Sequence, residues 1–445
     1  MAHSDHLEAL KNGTWNAFRS RYPQVTPDLI GASLAGQDLS GLNFREADFQ
    51  GADLRGAHLK GCIFTEAKVQ RANLEGADFS GAELRGTDFD GLDLSRAVFS
   101  GARLEKISFR GCRMDKVRFD GVRALSCDFG GVWGGGAVFR KFSGEGCDYR
   151  QAKLPAGDWA SCELKDTDFS GAVMEGASFE KAVWTRVRMD GGSMESARFS
   201  GAALAGCSFV RVAFDKVLLS GTRLTETLFR DAHFIKAVFQ SQSFGGAKFE
   251  ACQFGCSTLR EADFGGGKFS DCLFPGLSFA SAKLKDASFQ KCNFGAADFS
   301  GCLFHRAAFK SCEFRESNFD RVRMKECDFS GSRWTKASCR GAVFDGVSLA
   351  RGAFLGGTAE GTGFLSCDFS EFRARGARFK GCRFHGSVLT KARLWQCGLE
   401  ECDFSKALLT GTSFKKSVLK GARLPLSPFL RFRISLSHLT PIKED

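Results

Sequence analysis

The sequence predicts an all-β solenoid, a chain wound into stacked coils from five-residue steps. Two observations predict it. From Leu34 through Leu424 every fifth residue is large and apolar with few exceptions, in one unbroken register, and 42 of the 46 Phe fall in that residue class. The position two before it is small, as at Ala32, Ala47, Ala52, Ala57, Cys62, Ala67, Ala72, Ala77 and Ala82. A period of five matches neither the 3.6 of a helix nor the 2 of an ordinary strand. Self-similarity at a fixed short period, sustained for so long, is the mark of a solenoid.

Ala77-Asp78-Phe79-Ser80-Gly81 is a typical unit. Two apolar residues spaced by two point to the same side of an extended segment. The remaining positions are Asp, Asn, Arg, Lys, Ser, Thr and Gly, and must turn a corner; Gly or a small polar residue does this at least steric cost. Phe or Leu therefore fills the coil interior, with Ala or Cys where the wall crowds the axis. Asp residues preceding the large position (Asp53, Asp78, Asp128, Asp168, Asp298) point outward and suit corner capping.

Units such as Ala52-Asp53-Leu54-Arg55-Gly56, Ala72-Asn73-Leu74-Glu75-Gly76 and Ala297-Asp298-Phe299-Ser300-Gly301 resemble the A(D/N)LXX consensus of the pentapeptide-repeat family. The resemblance covers about nine tenths of the chain. It implies a right-handed quadrilateral β-helix with four pentapeptides per coil. Residues 29–424 are then one continuous β-helix of about twenty coils, a rod of roughly 95 Å at strand spacing.

Residues 1–28 lack the repeat and are expected to form a helical cap over the first coil. Two short helical pieces are predicted around Gly13, with Leu7, Leu10, Trp15 and Phe18 as an apolar face, stopped by Pro23 and Pro27. Trp15-Asn16, Phe18-Arg19 and Pro27-Asp28-Leu29 also resemble the leader that precedes the repeats in many family members. Between Gly130 and Ser161 the pattern weakens: Gly134 and Gly144 occupy large slots and Phe142 a small one, an exchange repeated by Phe372 and Ala374. Swapping large and small conserves core volume, so a continued coil is favoured over a protruding loop. In residues 425–445, Phe432, Ile434 and Leu436 alternate with Arg431 and Arg433, the period of a half-buried strand. That strand is expected to cover the last coil or to pair with its copy in a second molecule.

Sixteen of the 18 Cys occupy the small inward slot, including Cys252, Cys272, Cys292 and Cys312 at twenty-residue intervals; Cys256 and Cys339 do not. Buried reduced thiols are the expectation, because free Cys packs as a small hydrophobe and parallel stacking misses relaxed disulfide geometry. So many free thiols indicate a reducing compartment. No grouping has zinc spacing, and no metal or cofactor is expected. The start MAHSDHLEAL has no basic segment followed by an apolar run, and no stretch reaches membrane-spanning length. A cytoplasmic location is expected, with export by a dedicated secretion machine as the alternative.

The net charge of +11 is uneven. Acidic residues exceed basic ones by about five over 31–95, whereas the balance from Glu371 onward is about +9. The seven His are scattered, no nucleophile, phosphate-loop or dinucleotide motif is present, and a filled core leaves no pocket, so no enzymatic activity is expected. The favoured function is a protein-interaction scaffold or spacer working through its walls and basic end. Candidate contacts are Arg373, Arg393, Lys415, Lys416, Arg431, Arg433, Phe432, Ile434 and Leu436, together with Trp133 and Trp395, the clearest outward aromatics. Nucleic acid at the basic end is the weaker option, because stacking aromatics outside the core are scarce. The resemblance also implies an alternative, a DNA-mimicking binder of a type II topoisomerase such as gyrase, from which this net basic chain departs. A secretion cargo, effector or apparatus component is a further alternative.

Overall fold

The computed structural model describes residues 2–425; the C-terminal strand expected around Phe432, Ile434 and Leu436 lies outside the described residues. The chain divides into two compact units, Met1–Leu228 and Phe229–Asp445, and the described residues of each form a β-solenoid.

In the first unit, three-residue strands at Ile63–Thr65, Glu83–Arg85, Arg103–Glu105, Arg123–Leu125, Ser143–Glu145, Glu163–Lys165, Val183–Thr185, Ala203–Ala205 and Arg223–Thr225 stack in parallel. Phe64 pairs with Leu84 and Leu84 with Leu104, so one turn takes twenty residues and four pentapeptides. The other walls are held mostly by single parallel bridges in the same register, such as Asp53 with Asn73 and Asp78 with Val98, with paired strands at Arg188–Asp190 and Ser208–Val210 on one of them. Strands are short because each unit must also turn. The fifth residue of a unit takes a left-handed backbone, as at Gly81 (φ 67°) but also at Glu46 (φ 58°), Lys106 (φ 53°) and Arg186 (φ 54°). Corners thus accept long charged residues as well as the Gly and small polar residues expected of them. The left-handed conformation costs a non-glycine residue about 1–2 kcal/mol, offset because its N–H reaches the next coil: Glu46 N donates to Thr65 O at 2.8 Å. Outward Asp residues cap the same corners, Asp48 Oδ1 accepting Gln50 N at 3.0 Å and Asp168 Oδ1 accepting Ser170 N at 2.8 Å.

Two helices, α1 (Ser4–Lys11) and α2 (Trp15–Arg21), cover the first coil. Of the predicted apolar face only Trp15 is fully buried; Leu7, Leu10 and Phe18 are half-buried, whereas His6 and Arg19 are buried. The reason is the polar edge being covered. The first coil presents carbonyls with no coil before them, and α2 supplies donors: Trp15 Nε1 to Asn43 O at 2.8 Å, Asn16 Nδ2 to Gly41 O at 3.0 Å and Arg19 to Arg45 O at 3.1 Å.

The core of the first unit is two aromatic columns on opposite walls. Phe79, Phe99, Phe119, Phe139 and Trp159 stack face to face, with successive centroids 5.0, 4.9, 4.9 and 3.8 Å apart. Phe89, Phe109, Phe129, Tyr149 and Phe169 form the second column. The coil runs unbroken through 130–161, Ser143–Glu145 pairing with strands on both sides. The exchange of large for small is a direct substitution of volume: a Cβ on Gly144 would lie 2.7 Å from Phe142 Cε1. At Gly134 (φ 151°) the backbone itself closes in, and a Cβ would lie 2.5 Å from the carbonyl carbon of Met114.

The second unit repeats the plan with more Phe per turn. Phe289, Phe294 and Phe299 crowd within one turn, and each stacks on the residue twenty positions on. Cys339 and Ala359 replace large residues in one column and leave a cavity of about 20 Å³ beside Trp334, Phe354 and Phe379. Phe372, in a small slot, fills space opened by Ala374. All Cys are free, and only Cys256 is exposed. The stacked thiols of Cys252, Cys272, Cys292 and Cys312 each donate to a carbonyl of the preceding turn, at 3.4, 3.4, 3.5 and 3.6 Å. Among the described residues no group of three His, Cys, Asp or Glu could hold a metal ion, and no helix is long and apolar enough to cross a membrane.

Candidate protein-binding wall

Because side chains alternate in and out along each short strand, position 373 and its equivalents twenty residues on share one outer surface. The strands Arg373–Arg375 and Arg393–Trp395 pair directly, placing Arg373 beside Arg393 and Arg375 beside Trp395. Ser413 bridges to Arg393 and brings Lys415 onto the next rung. The outward residues of these three rungs are Arg373, Arg375, Arg393, Trp395, Ser413 and Lys415, with Lys416 at the adjoining corner (φ 58°). None is a carboxylate.

Trp395 organises the group. It is 37% exposed, and its Nε1 donates to Ser413 Oγ at 3.2 Å. The Arg393 guanidinium lies 5.7 Å from its ring centroid and the Lys415 ammonium 5.9 Å, within cation–π range. Arg375 Nε donates to Gln396 Oε1 at 3.0 Å. Among the described residues, Arg373, Arg375, Arg393, Lys415 and Lys416 have no carboxylate within ion-pair distance. At other rungs opposite charges meet, Arg186 lying 2.6 Å from Asp166, Arg230 2.7 Å from Glu250 and Arg306 2.8 Å from Asp286, although Arg103 also faces Arg123 and Lys248 faces Lys268. Like charges directly opposite on a sheet are mildly destabilising, so the Arg373–Arg393 juxtaposition is a local cost that the fold does not require.

Arg373, Arg393, Lys415, Lys416 and Trp395 are therefore brought together. Trp133 belongs to the first unit, where it is 47% exposed with Arg113 over its ring at 5.3 Å. That cation is neutralised by Asp115 at 2.7 Å and Asp93 at 3.5 Å. Hydrogen bonds from Gly135 N and Arg113 hold the Asp115 carboxyl below the usual carboxylate range. Arg431, Phe432, Arg433, Ile434 and Leu436 lie outside the described residues. Arg375 and Ser413 were not among the candidate contacts; reading the sequence in columns of twenty would have placed both beside Trp395. A second surface feature, a shallow depression of about 860 Å³ on the first unit, is lined by alternating signs, among them Glu83, Arg85, Arg103, Glu105, Arg123 and Glu145.

A solenoid of twenty-residue turns, with Phe inward and Asx caps at many of its corners, defines a repeat protein. A family model of pentapeptide repeats (8 copies) matches residues 28–65, 64–96, 93–131, 162–201, 193–231, 367–405 and 397–425, more than half of the chain. A pentapeptide repeat region model matches 246–319, and one of nine repeat copies matches 309–353. The chain belongs to the pentapeptide-repeat family. Solved structures similar to it include full-length QnrB1, a plasmid-mediated fluoroquinolone resistance protein, at 16% identity over 50% of this chain and 95% of that one, with a TM-score of 0.28. HetL, involved in heterocyst differentiation regulation in the cyanobacterium Nostoc sp. strain PCC 7120, is 17% identical over 63% and 90%, with a TM-score of 0.17. A pentapeptide repeat protein of the Arabidopsis thaliana thylakoid lumen is 29% identical over 23% and 64%, with a TM-score of 0.10. No curated protein matches the chain.

Proposed function

We propose that this chain is a non-catalytic interaction scaffold whose cationic wall at residues 373–416 holds an acidic protein partner. One observation carries the reading: five cations with no carboxylate within ion-pair distance gather around an exposed Trp on adjoining rungs, whereas Arg186, Arg230 and Arg306 each face a carboxylate one turn away. Trp and Arg are the side chains that anchor protein interfaces, and the exposed Lys415 and Lys416 suit a rim. The ring of Trp395 is already engaged by Arg393 and Lys415, which favours a protein over single-stranded nucleic acid, whose bases need a free aromatic face. The aromatic columns fill the interior, so contacts fall to the walls and ends. The test is capture of partners from native lysate by the full chain and by R373E/R393E. Acidic proteins held by the first and lost by the second support the reading; the same set held by both refutes it.

A further inference from the structure

We infer that the cationic wall docks on the acidic wall of the first unit of a second copy of this chain, giving head-to-tail association. The inference rests on the acidic-partner reading above and names the partner. The two ends of the sequence carry opposite charge. Residues 31–95 contain eleven Asp and Glu against six Lys and Arg, and residues 371–425 contain twelve Lys and Arg against four Asp and Glu.

In the first unit the outward column Asp28, Asp48, Lys68, Asp88 runs along one wall in bridge register. Lys68 lies 4.0 Å from Asp48, but Asp88, Asp90 and the corner residue Glu66 have no cation within ion-pair distance among the described residues. Asp88 and Asp90 are held in place, Asp88 Oδ1 accepting Asp90 N and Asp90 Oδ1 accepting Arg110 N, both at 2.9 Å.

The two surfaces present charges in close sets: Arg373 and Arg375 span roughly 6.8 Å along one strand, and Asp88, at a bridge, is followed by Asp90 at the adjoining turn. Rungs on both walls are about 4.8 Å apart, and Lys68 and Arg110 stand on the rungs beside Asp88 and Asp90, so the contact centres on that one acidic rung set between Arg373 and Arg393. Carboxylates entering between Arg373 and Arg393 would relieve the repulsion left there. The net charge of +11 does not prevent this, because at physiological salt charges beyond about 8 Å are screened and the facing walls decide the outcome. Since the surfaces differ, the contact is heterologous and open chains of copies are the expected product.

Sedimentation velocity of the full chain over a concentration series, at about 20 mM and about 500 mM salt, tests this. The expected result is a mass that grows with concentration at low salt and collapses at high salt. R373E/R393E should weaken association at least about tenfold. D88N/D90N should do likewise while keeping the acceptor oxygens that cap the turns. R373E/R393E mixed with D88K/D90K should associate although neither does alone. A single mass at every concentration, or growth that persists in either wall variant, overturns the inference. If the wild type stays monomeric while R373E/R393E loses a captured acidic protein, self-docking is wrong and the acidic-partner reading stands. If R373E/R393E keeps every captured partner, that reading falls too.

Discussion

Replacing Phe294 with Ala probes the core at its densest point. Phe294 is fully buried, stacks on Phe274 at 5.0 Å and Phe314 at 5.2 Å, and meets Phe279, Phe289 and Phe299 edge to face at 5.7, 5.3 and 5.4 Å. Lost burial plus the residual cavity costs roughly 3–5 kcal/mol for Phe→Ala. With Phe309 also edge to face at 5.6 Å, six ring contacts, in walls already closed by backbone hydrogen bonds that resist collapse, place this site near the upper end. Neighbouring outward residues give an internal scale. Lys283, exposed and unpaired, should cost under about 0.5 kcal/mol as Ala. Asn293 should fall between them at about 1 kcal/mol, because its Oδ1 accepts Gly295 N at 2.9 Å. Denaturant midpoints with amide hydrogen exchange would measure all three, and the loss of protection should centre on the rungs flanking Phe294. A Phe294→Ala variant no less stable than Lys283→Ala would refute the inward assignment of the fifth-residue class.

Restoring a large residue at Gly144 should destabilise by about 1–3 kcal/mol, because the Phe142 ring already occupies that space. Chemical denaturation should show F142A/G144L more stable than F142A alone; additive losses would contradict the volume exchange. In native alkylation only Cys256 should react, with the other thiols labelled after unfolding. Burial pushes the Cys62 and Cys207 thiols up from 9.0 to about 11. Their folded forms hold the proton more tightly than the unfolded chain, so this stability is present below pH 9 and lost as pH rises towards about 11. A denaturation midpoint unchanged between pH 8 and 11 would contradict it.

Most of the fold was legible because each five-residue step dictates its own geometry. The Phe class, the Ala and Cys slots and the outward Asp caps follow from side-chain alternation and corner sterics, with no long-range information needed. The Phe142–Gly144 exchange was legible for the same reason, being two residues apart on one strand. The cap was only half legible: helix periodicity located α1 and α2, but burial of His6 and Arg19 is set by the backbone of Asp28 and the coil carbonyl of Arg45, far along the chain. Corner tolerance for Lys, Arg and Glu was also hidden, since it depends on a hydrogen bond to the next coil. The wall was legible as charge and as an outward Trp. Its grouping depends on the twenty-residue register, which joins Arg373 to Arg393 and Arg375 to Trp395 and Lys415. Composition alone does not separate these cations from Arg186 or Arg306, which have carboxylate partners one turn away.

That separation between paired and unpaired cations is what the functional reading depends on. The most direct measurement compares partner capture by R373E/R393E with capture by R186E/R306E, two variants carrying the same change in net charge. The account predicts that only R373E/R393E loses its acidic partners, by about tenfold or more in apparent affinity. Equal losses in both would mean that overall charge, and not the wall around Trp395, governs association.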